Sequence, residues 1–149
     1  MNAVRRFLGS EAGEGGQSIV EFALILPIIL LIITGVFDVA RAVWQENTLA
    51  YAAREGTRYA IVHGSGYPDQ TQIAWPGNTA GITNVVRNAS IGIGTTITVT
   101  STWPDGCYDR SCRVAVDATA SFVPLPSQYM LGSAFQITLR GGSELVIQR

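Results

Sequence analysis

The side chains able to do chemistry are few and scattered. His63 is the single histidine, Cys107 and Cys112 are the two cysteines, and all ten basic residues are arginines. Without lysine there is no Schiff-base amine, no Ser–Lys dyad and no lysine-bearing phosphate loop. A lone histidine with no G-x-S-x-G segment leaves no triad to assemble. One His and two Cys also fall short of a four-ligand zinc site unless carboxylates complete it. His63 stands beside Gly64, a natural helix stop, and reads as a capping or surface residue rather than a base or ligand. No catalytic residue, cofactor or metal site is expected, and the chain reads as a non-enzyme. A net charge of −1 with no basic block speaks against nucleic acid, whose binding depends on phosphate neutralisation.

Glu21 is the carboxylate in an unusual setting. The 149 residues are 47% hydrophobic and only 14% charged, with a mean hydropathy of +0.24; charged residues usually make up about 25% of a soluble domain. The excess is concentrated in Phe22 to Phe37, 16 residues in which Thr34 is the one polar side chain. Ile19 and Val20 extend this run backward past Glu21, so Gln17 to Phe37 offers 21 residues, enough to cross a bilayer that needs about 20. A signal peptide has a shorter core, about 7–15 residues, and a small-residue cleavage site after it. A core helix of a small protein is rarely apolar on every face. A membrane anchor fits best. Pro27 lies inside the run; it removes a backbone donor, frees the carbonyl of Ala23 and is expected to kink the helix. Arg5 and Arg6 before the run nearly balance Arg41, Arg54 and Arg58 after it, so flanking charge does not set the orientation.

A carboxylate at the bilayer centre costs about 3 kcal/mol, and less toward the interface. Glu21 either reaches the headgroups or meets a cation. A cut after Gly16 would supply one, because the new amine at Gln17 lies four residues before Glu21 and such positions are neighbours on a helix. The amine of an adjacent subunit could be neutralised in the same way. The segment from Gly16 to Val62, with its G-Q-S-I-V-E-F start and the A-R-E-G-T-R-Y-A stretch at 53–60, resembles the TadE-like family, minor pseudopilins of the tight-adherence branch of type IV pili. The resemblance implies a cytoplasmic leader, residues 1–16, cut by a prepilin peptidase between Gly16 and Gln17. Glu21 and Phe22 then become the fifth and sixth mature residues, where the family has Glu followed by Tyr or Phe. It further implies a pilin-like α+β fold, in which a long N-terminal helix packs on a small antiparallel sheet with a short second helix. The partners implied are other pilin and minor pilin subunits, the prepilin peptidase, the inner-membrane assembly platform and membrane lipid.

After the span (17–37), residues 38–63 read as continued helix, rich in Ala, Leu, Glu, Gln and Arg and free of Pro. Asp38 and Arg41 are spaced to pair. Val36, Ala40, Val43, Trp44, Tyr51, Tyr59 and Val62 suggest one loosely apolar side, with Trp44 either at the membrane interface or in the core. Gly56 weakens the helix by about 1 kcal/mol. The remaining 64–149 form the extracytoplasmic domain. Gly64 to Gly81 reads as a loop, in which Tyr67 and Trp75 are candidate partner contacts. A short helix is expected over Ile82 to Ser90. Alternating patterns predict strands at Thr95–Trp103, Arg113–Val123 and from Phe135 to Leu139, the first two joined through Pro104-Asp105-Gly106. Beyond Gly141-Gly142 the third strand either continues or turns back; the family resemblance favours one long strand.

Cys107 and Cys112 flank four residues at the tip of the expected hairpin. They lack further metal ligands and redox-motif spacing, so a disulfide is expected, with free thiols as the alternative. A disulfide persists in oxidising compartments and places this domain outside the cytoplasm. Two functions follow. One is a minor pilin acting in assembly, priming or capping of an adhesive pilus. The other is an uncleaved single-pass membrane protein that binds a ligand or partner through the 64–81 loop.

Overall fold

The computed structural model describes residues 14–130 and 135–148. The expected leader lies outside the described residues but for its last three. Helix α1, Glu14–Val62, runs unbroken for 49 residues and passes through Pro27, about 74 Å at 1.5 Å per residue. A single 3-10 turn, Gln70–Gln72, and helix α2, Ala80–Ala89, follow. Strands β1, Ile97–Thr102, β2, Arg113–Phe122, and β3, Ile137–Val146, form an antiparallel sheet in the order β1-β2-β3. Helix α3, Leu125–Met130, lies between β2 and β3. The fold is α+β, as expected.

Residues 38, 42, 45, 49, 52, 53, 56, 57 and 60 share one side of α1 at 3.6 residues per turn. On that side Leu49, Ala52, Ala53, Thr57 and Ala60 are buried against β2, β3 and α2. Val36, Ala40, Val43, Trp44, Tyr51 and Val62, most of them bulky, lie on the opposite side and are exposed. The apolar side suggested by residue size therefore faces away from the sheet. Tyr59, at its margin, is the member that packs on the core. The reason is steric: small side chains let the sheet backbone approach the helix axis, and bulky ones cannot.

Gly141-Gly142 serves that approach. The register pairs one residue with one from Arg113↔Val146 to Phe122↔Ile137, without turn or bulge. A Cβ on Gly141 would strike the backbone of Leu49 and Ala50. Gly56 does the same for α2, where a Cβ would meet Val86. Both glycines are close-approach positions, and neither is a turn.

On β2 the inward residues Val114, Val116, Ala118, Ala120 and Phe122 are buried, as their alternation predicts. Ile97 and Val99 of β1 are half-buried beside them. Phe135 and Ile137, expected on an apolar face, are exposed, Phe135 to 64%. They stand at the end of the sheet nearest Arg41, whose guanidinium covers the Phe122 ring paired with Ile137. The short helix begins two residues earlier than expected, at Ala80. The loop before it is more ordered than its composition implies. Asp69 caps the 3-10 turn through Thr71, and Asn78 Nδ2 donates to the carbonyls of Thr71 and Ile73.

Candidate functional site

Helix α1 gives the molecule a long axis with two chemically different ends. From Gly16 to Ile33 every residue is exposed. The 18-residue window that best fits a membrane span has a mean hydropathy of 2.7 and no part of it is buried in the protein. Thr34, the one hydroxyl in the apolar run, donates to the carbonyls of Leu30 and Leu31 at 2.9 and 3.1 Å. That removes its need for water. One N-terminal apolar helix of this kind fits a single-pass membrane protein.

Gly16, Gln17, Glu21 and Phe22 all lie on this free stretch of helix. A Cβ on Gly16 would meet nothing within 4 Å, so the glycine there does not serve packing. The Glu21 side chain is exposed and makes no hydrogen bond or ion pair among the described residues. Gly16 is 22 positions from Asp38 in the sequence, about 33 Å along the axis, so nothing in the globular part reaches the Gly16–Gln17 bond. The sequence-derived sites are thus spread along the chain and do not converge on one pocket. No group of three or more His, Cys, Asp or Glu residues that could hold a metal occurs among the described residues.

Asp38 marks the change of environment. It is 6% exposed. Its Oδ1 accepts from Arg41 Nη1 at 3.0 Å and its Oδ2 from the backbone N–H of Leu125 at 2.9 Å. The expected Asp38–Arg41 pair is present, and the same carboxylate also holds the first turn of α3. Arg41 lies 5.3 Å from the centre of the Phe122 ring, so one charge pair joins helix, sheet and α3. Sequence reasoning missed α3 altogether. Pro126 in its first turn is a recognisable helix-start signal, but its cap comes from a residue 87 positions away. Leu125, Pro126 and Tyr129 face residues 27–34 of α1 across an apolar cleft of about 480 Å³. Trp44 is half-exposed and covers Gly92.

At the far end, α1 stops in a stack of rings. His63 lies 3.8 Å from Tyr59 and 4.1 Å from Tyr67 between ring centres. Its Nδ1–H donates to the Tyr59 carbonyl at 2.8 Å, the capping role expected of it. Burial pushes the Tyr59 phenol up, and Tyr67 and Asp69 add to that. Tyr67 is half-buried against the His63 ring. Trp75 remains 44% exposed and faces Tyr108 at 6.3 Å. The two rings, with Ser65, Gln70 and Ile73, line a recess of about 230 Å³. Tyr108 belongs to the loop closed by the Cys107–Cys112 disulfide, whose Cα atoms are 5.9 Å apart. Ser65 N–H donates to the Tyr108 carbonyl at 3.2 Å and ties the two loops together.

Comparison with known proteins bears on α1 alone. Residues 16–58 match the model of a family described as TadE-like protein, which agrees with the resemblance carried by the helix. The match opens at Gly16 and ends before the helix does. The match takes in 43 of the 149 residues and leaves the sheet domain without a counterpart. No curated protein and no solved structure matches the chain.

Proposed function

From a chain whose residues 16–58 are TadE-like, we propose that the protein is a minor pilin, acting in assembly, priming or capping of a Tad-type adhesive pilus after its leader is removed between Gly16 and Gln17. The observation that carries this reading is the division of α1 between two uses. Its 49–60 stretch is covered by the sheet through small side chains. Its 19–33 stretch is exposed at every residue, and the outward apolar side continues through Val43, Trp44 and Tyr51. A surface of this kind needs lipid around it, or other apolar helices of the same type.

Cleavage supplies the missing cation for Glu21. The ammonium of Gln17, on the same helix or on an adjacent subunit, neutralises a carboxylate that would otherwise be costly within a bundle of apolar helices. Because helices otherwise slide freely along smooth apolar faces, this single pair sets the stagger between subunits. The Cys107–Cys112 bond supports a periplasmic or external domain. It follows that residues 1–16 are cytoplasmic, where the peptidase and the assembly platform meet them. The chain is thus read as an inner-membrane protein that leaves the bilayer only by exchanging lipid for neighbouring helices.

The test is the mass and first residue of the mature chain. Removal of residues 1–16 is expected, with Gln17 at the N-terminus, and Gly16→Val should leave the full-length chain in the membrane. Tyr51→Glu, on the exposed side, should fold as the parent does yet lose co-purification with other pilin subunits. A mature chain that retains residues 1–16 would overturn the reading. It would favour instead the uncleaved membrane protein that uses the Trp75–Tyr108 recess for a ligand or partner.

A further inference from the structure

The recess between Trp75 and Tyr108 lies at the pole of the domain away from the apolar run. Val62, where α1 stops, is 24 positions past Asp38, about 36 Å further along the axis. Both rings stand on pinned backbone. Ile73 and Ala74, just before Trp75, are buried. Ala74 N–H donates to the His63 carbonyl at 2.7 Å, and Asn78 N–H to the Trp75 carbonyl at 2.8 Å. The benzo ring of Trp75 lies so close to Gly77 that a Cβ there would strike it. Tyr108 follows Cys107 of the disulfide, and its carbonyl accepts from Ser65 N–H. Trp75 and Tyr108 nonetheless stay 44% and 39% exposed. Rings held stiff yet left partly in water give up apolar burial in the fold, and they offer a ligand contact area at little loss of side-chain freedom.

The lining selects the chemistry of that ligand. None of Ser65, Gln70, Ile73, Trp75 and Tyr108 carries a charge. Asp69 and Asp109, next in the chain to Gln70 and Tyr108, do not line the recess, and both Asp69 oxygens are engaged by Thr71 and Gln72. An ion therefore finds no counter-charge there. Gln70 Nε2 donates to the Tyr67 carbonyl at 3.1 Å, while the Gln70 amide oxygen and the Ser65 and Tyr108 hydroxyls make no hydrogen bond among the described residues. Two hydroxyls and one carbonyl are thus open to a polar, uncharged ligand. The rings are tilted by 41° with centres 6.3 Å apart. A flat base is sandwiched only between parallel faces. A polyproline segment repeats every third residue, about 9 Å, which exceeds the spacing of the rings. We propose that the recess binds one neutral sugar ring of a glycan. The puckered ring lays its C–H face, which is slightly positive, across the negative faces of Trp75 and Tyr108. Its hydroxyls pair with Ser65, Gln70 and Tyr108. The site is carried at the end of the molecule away from the anchor, where a glycan on another surface comes within reach.

The experiment uses the full chain, labelled with fluorotryptophan, in a polyoxyethylene ether detergent that itself carries no sugar. The three tryptophans, Trp44, Trp75 and Trp103, are followed by fluorine NMR, with Trp75 assigned through Trp75→Phe and the other two as internal controls. The probes are methyl glycosides of glucose, galactose, mannose and N-acetylglucosamine, with methyl glucuronide and a tetraproline peptide as the charged and peptide comparisons. At least one neutral glycoside should shift the Trp75 resonance saturably and leave Trp44 and Trp103 in place. Tyr108→Leu, which keeps bulk without the aromatic face, and Ser65→Ala should each weaken that binding several-fold. An unchanged Trp103 resonance shows that the domain remains folded; if Tyr108→Leu moves it, Ser65→Ala decides alone. No shift of Trp75 with any glycoside overturns the proposal, as does binding that survives both variants. A Trp75 shift with the glucuronide or the peptide alone overturns it in favour of that ligand. These outcomes do not depend on removal of residues 1–16, which the first residue of the mature chain reports by itself.

Discussion

Helix α1 below and above Asp38 is one continuous element performing two opposite tasks. Below it, Leu, Ile and Phe occupy every side of the helix and none is covered by the protein. Above it, the side against the sheet is built from Leu49, Ala52, Ala53, Gly56, Thr57 and Ala60. The more hydrophobic half makes almost no contribution to the folded core, and the less hydrophobic half makes most of α1's contribution. Hydrophobicity therefore identifies where this helix meets its surroundings. Residue size identifies where it meets its own domain. Large side chains suit a fluid environment that adapts to them, whereas a sheet held by hydrogen bonds cannot adapt and needs a smooth helix face.

That contrast can be broken most directly by truncating the same side chain in each half. Leu49 is fully buried, and Leu49→Ala should cost about 2–5 kcal/mol of domain stability. Leu24→Ala, in the bare half, should change unfolding of the detergent-solubilised domain by no more than about 0.5 kcal/mol. Urea unfolding followed by far-UV circular dichroism of the two variants measures the difference. Equal effects would mean that the lower half also packs on the domain.

A smaller effect sharpens the point about size. Gly141→Ala adds one methyl where the backbone of Leu49 and Ala50 already stands, and overpacking of this kind costs about 1–3 kcal/mol. Gly142→Ala, one residue along, faces the opposite side of the sheet toward the Asp117 carboxylate and should be milder. Thermal midpoints of the two variants check this, and reversal of their order would exclude close helix–sheet approach as the reason for the glycine pair.

Much of this architecture is legible in the sequence where one residue's pattern suffices. The apolar run, the strict alternation from Val114 to Phe122 and the turn at Pro104-Asp105-Gly106 all specify local geometry through period and turn chemistry. The orientation of α1 is harder to read, because burial by small residues carries little hydrophobic signal: Ala52, Ala53 and Gly56 look like ordinary helix filler until Gly141 is placed against them. α3 is hidden for a different reason. Its cap is Asp38, which in sequence already has a satisfactory partner in Arg41. Of the candidate sites, Glu21 and Pro27 stand out as a charge at the edge of an apolar run and a helix breaker inside it, whereas Gly16 is picked out by the family resemblance. Tyr67 and Trp75 looked equivalent in a Gly- and Pro-rich loop, and only packing on His63 separates the half-buried ring from the exposed one.

The two ends of the globular part differ in how they are held, and the disulfide should show it. Cys107–Cys112 closes a loop between residues five apart in sequence. On the chain-entropy relation a loop this small gives about 2 kcal/mol. The Cys107→Ser, Cys112→Ser double variant should lose that stability and loosen the Trp75–Tyr108 recess, since Tyr108 lies within the closed loop. Hydrogen exchange at Ser65, which donates to the Tyr108 carbonyl, should accelerate more than at Leu125, whose N–H is held by Asp38. Equal acceleration at both ends would show that the disulfide acts on the whole domain rather than on its far tip.

The smallest effect expected is one of acidity, beside the same loop. Asp105 accepts from Arg113 Nη2 at 2.7 Å, from Nε at 3.1 and 3.2 Å and from the backbone N–H at 2.8 Å. These hydrogen bonds, the guanidinium's first, hold its carboxyl below the usual carboxylate range. A carboxyl with a folded pKa below its unfolded value, ordinarily about 3.9, adds stability above that ordinary value. The contribution is lost as pH falls through the depressed folded one. Because the pair is open to solvent the gain is slight, so unfolding curves will barely register it and the carboxyl resonance is the better reporter. In a carbon-detected NMR titration Asp105 should remain ionised into more acidic solution than an ordinary aspartate. Arg113→Gln should return its midpoint toward the usual range. An Asp105 midpoint unmoved by Arg113→Gln would mean that the loop's own backbone, rather than the ion pair, fixes the far end.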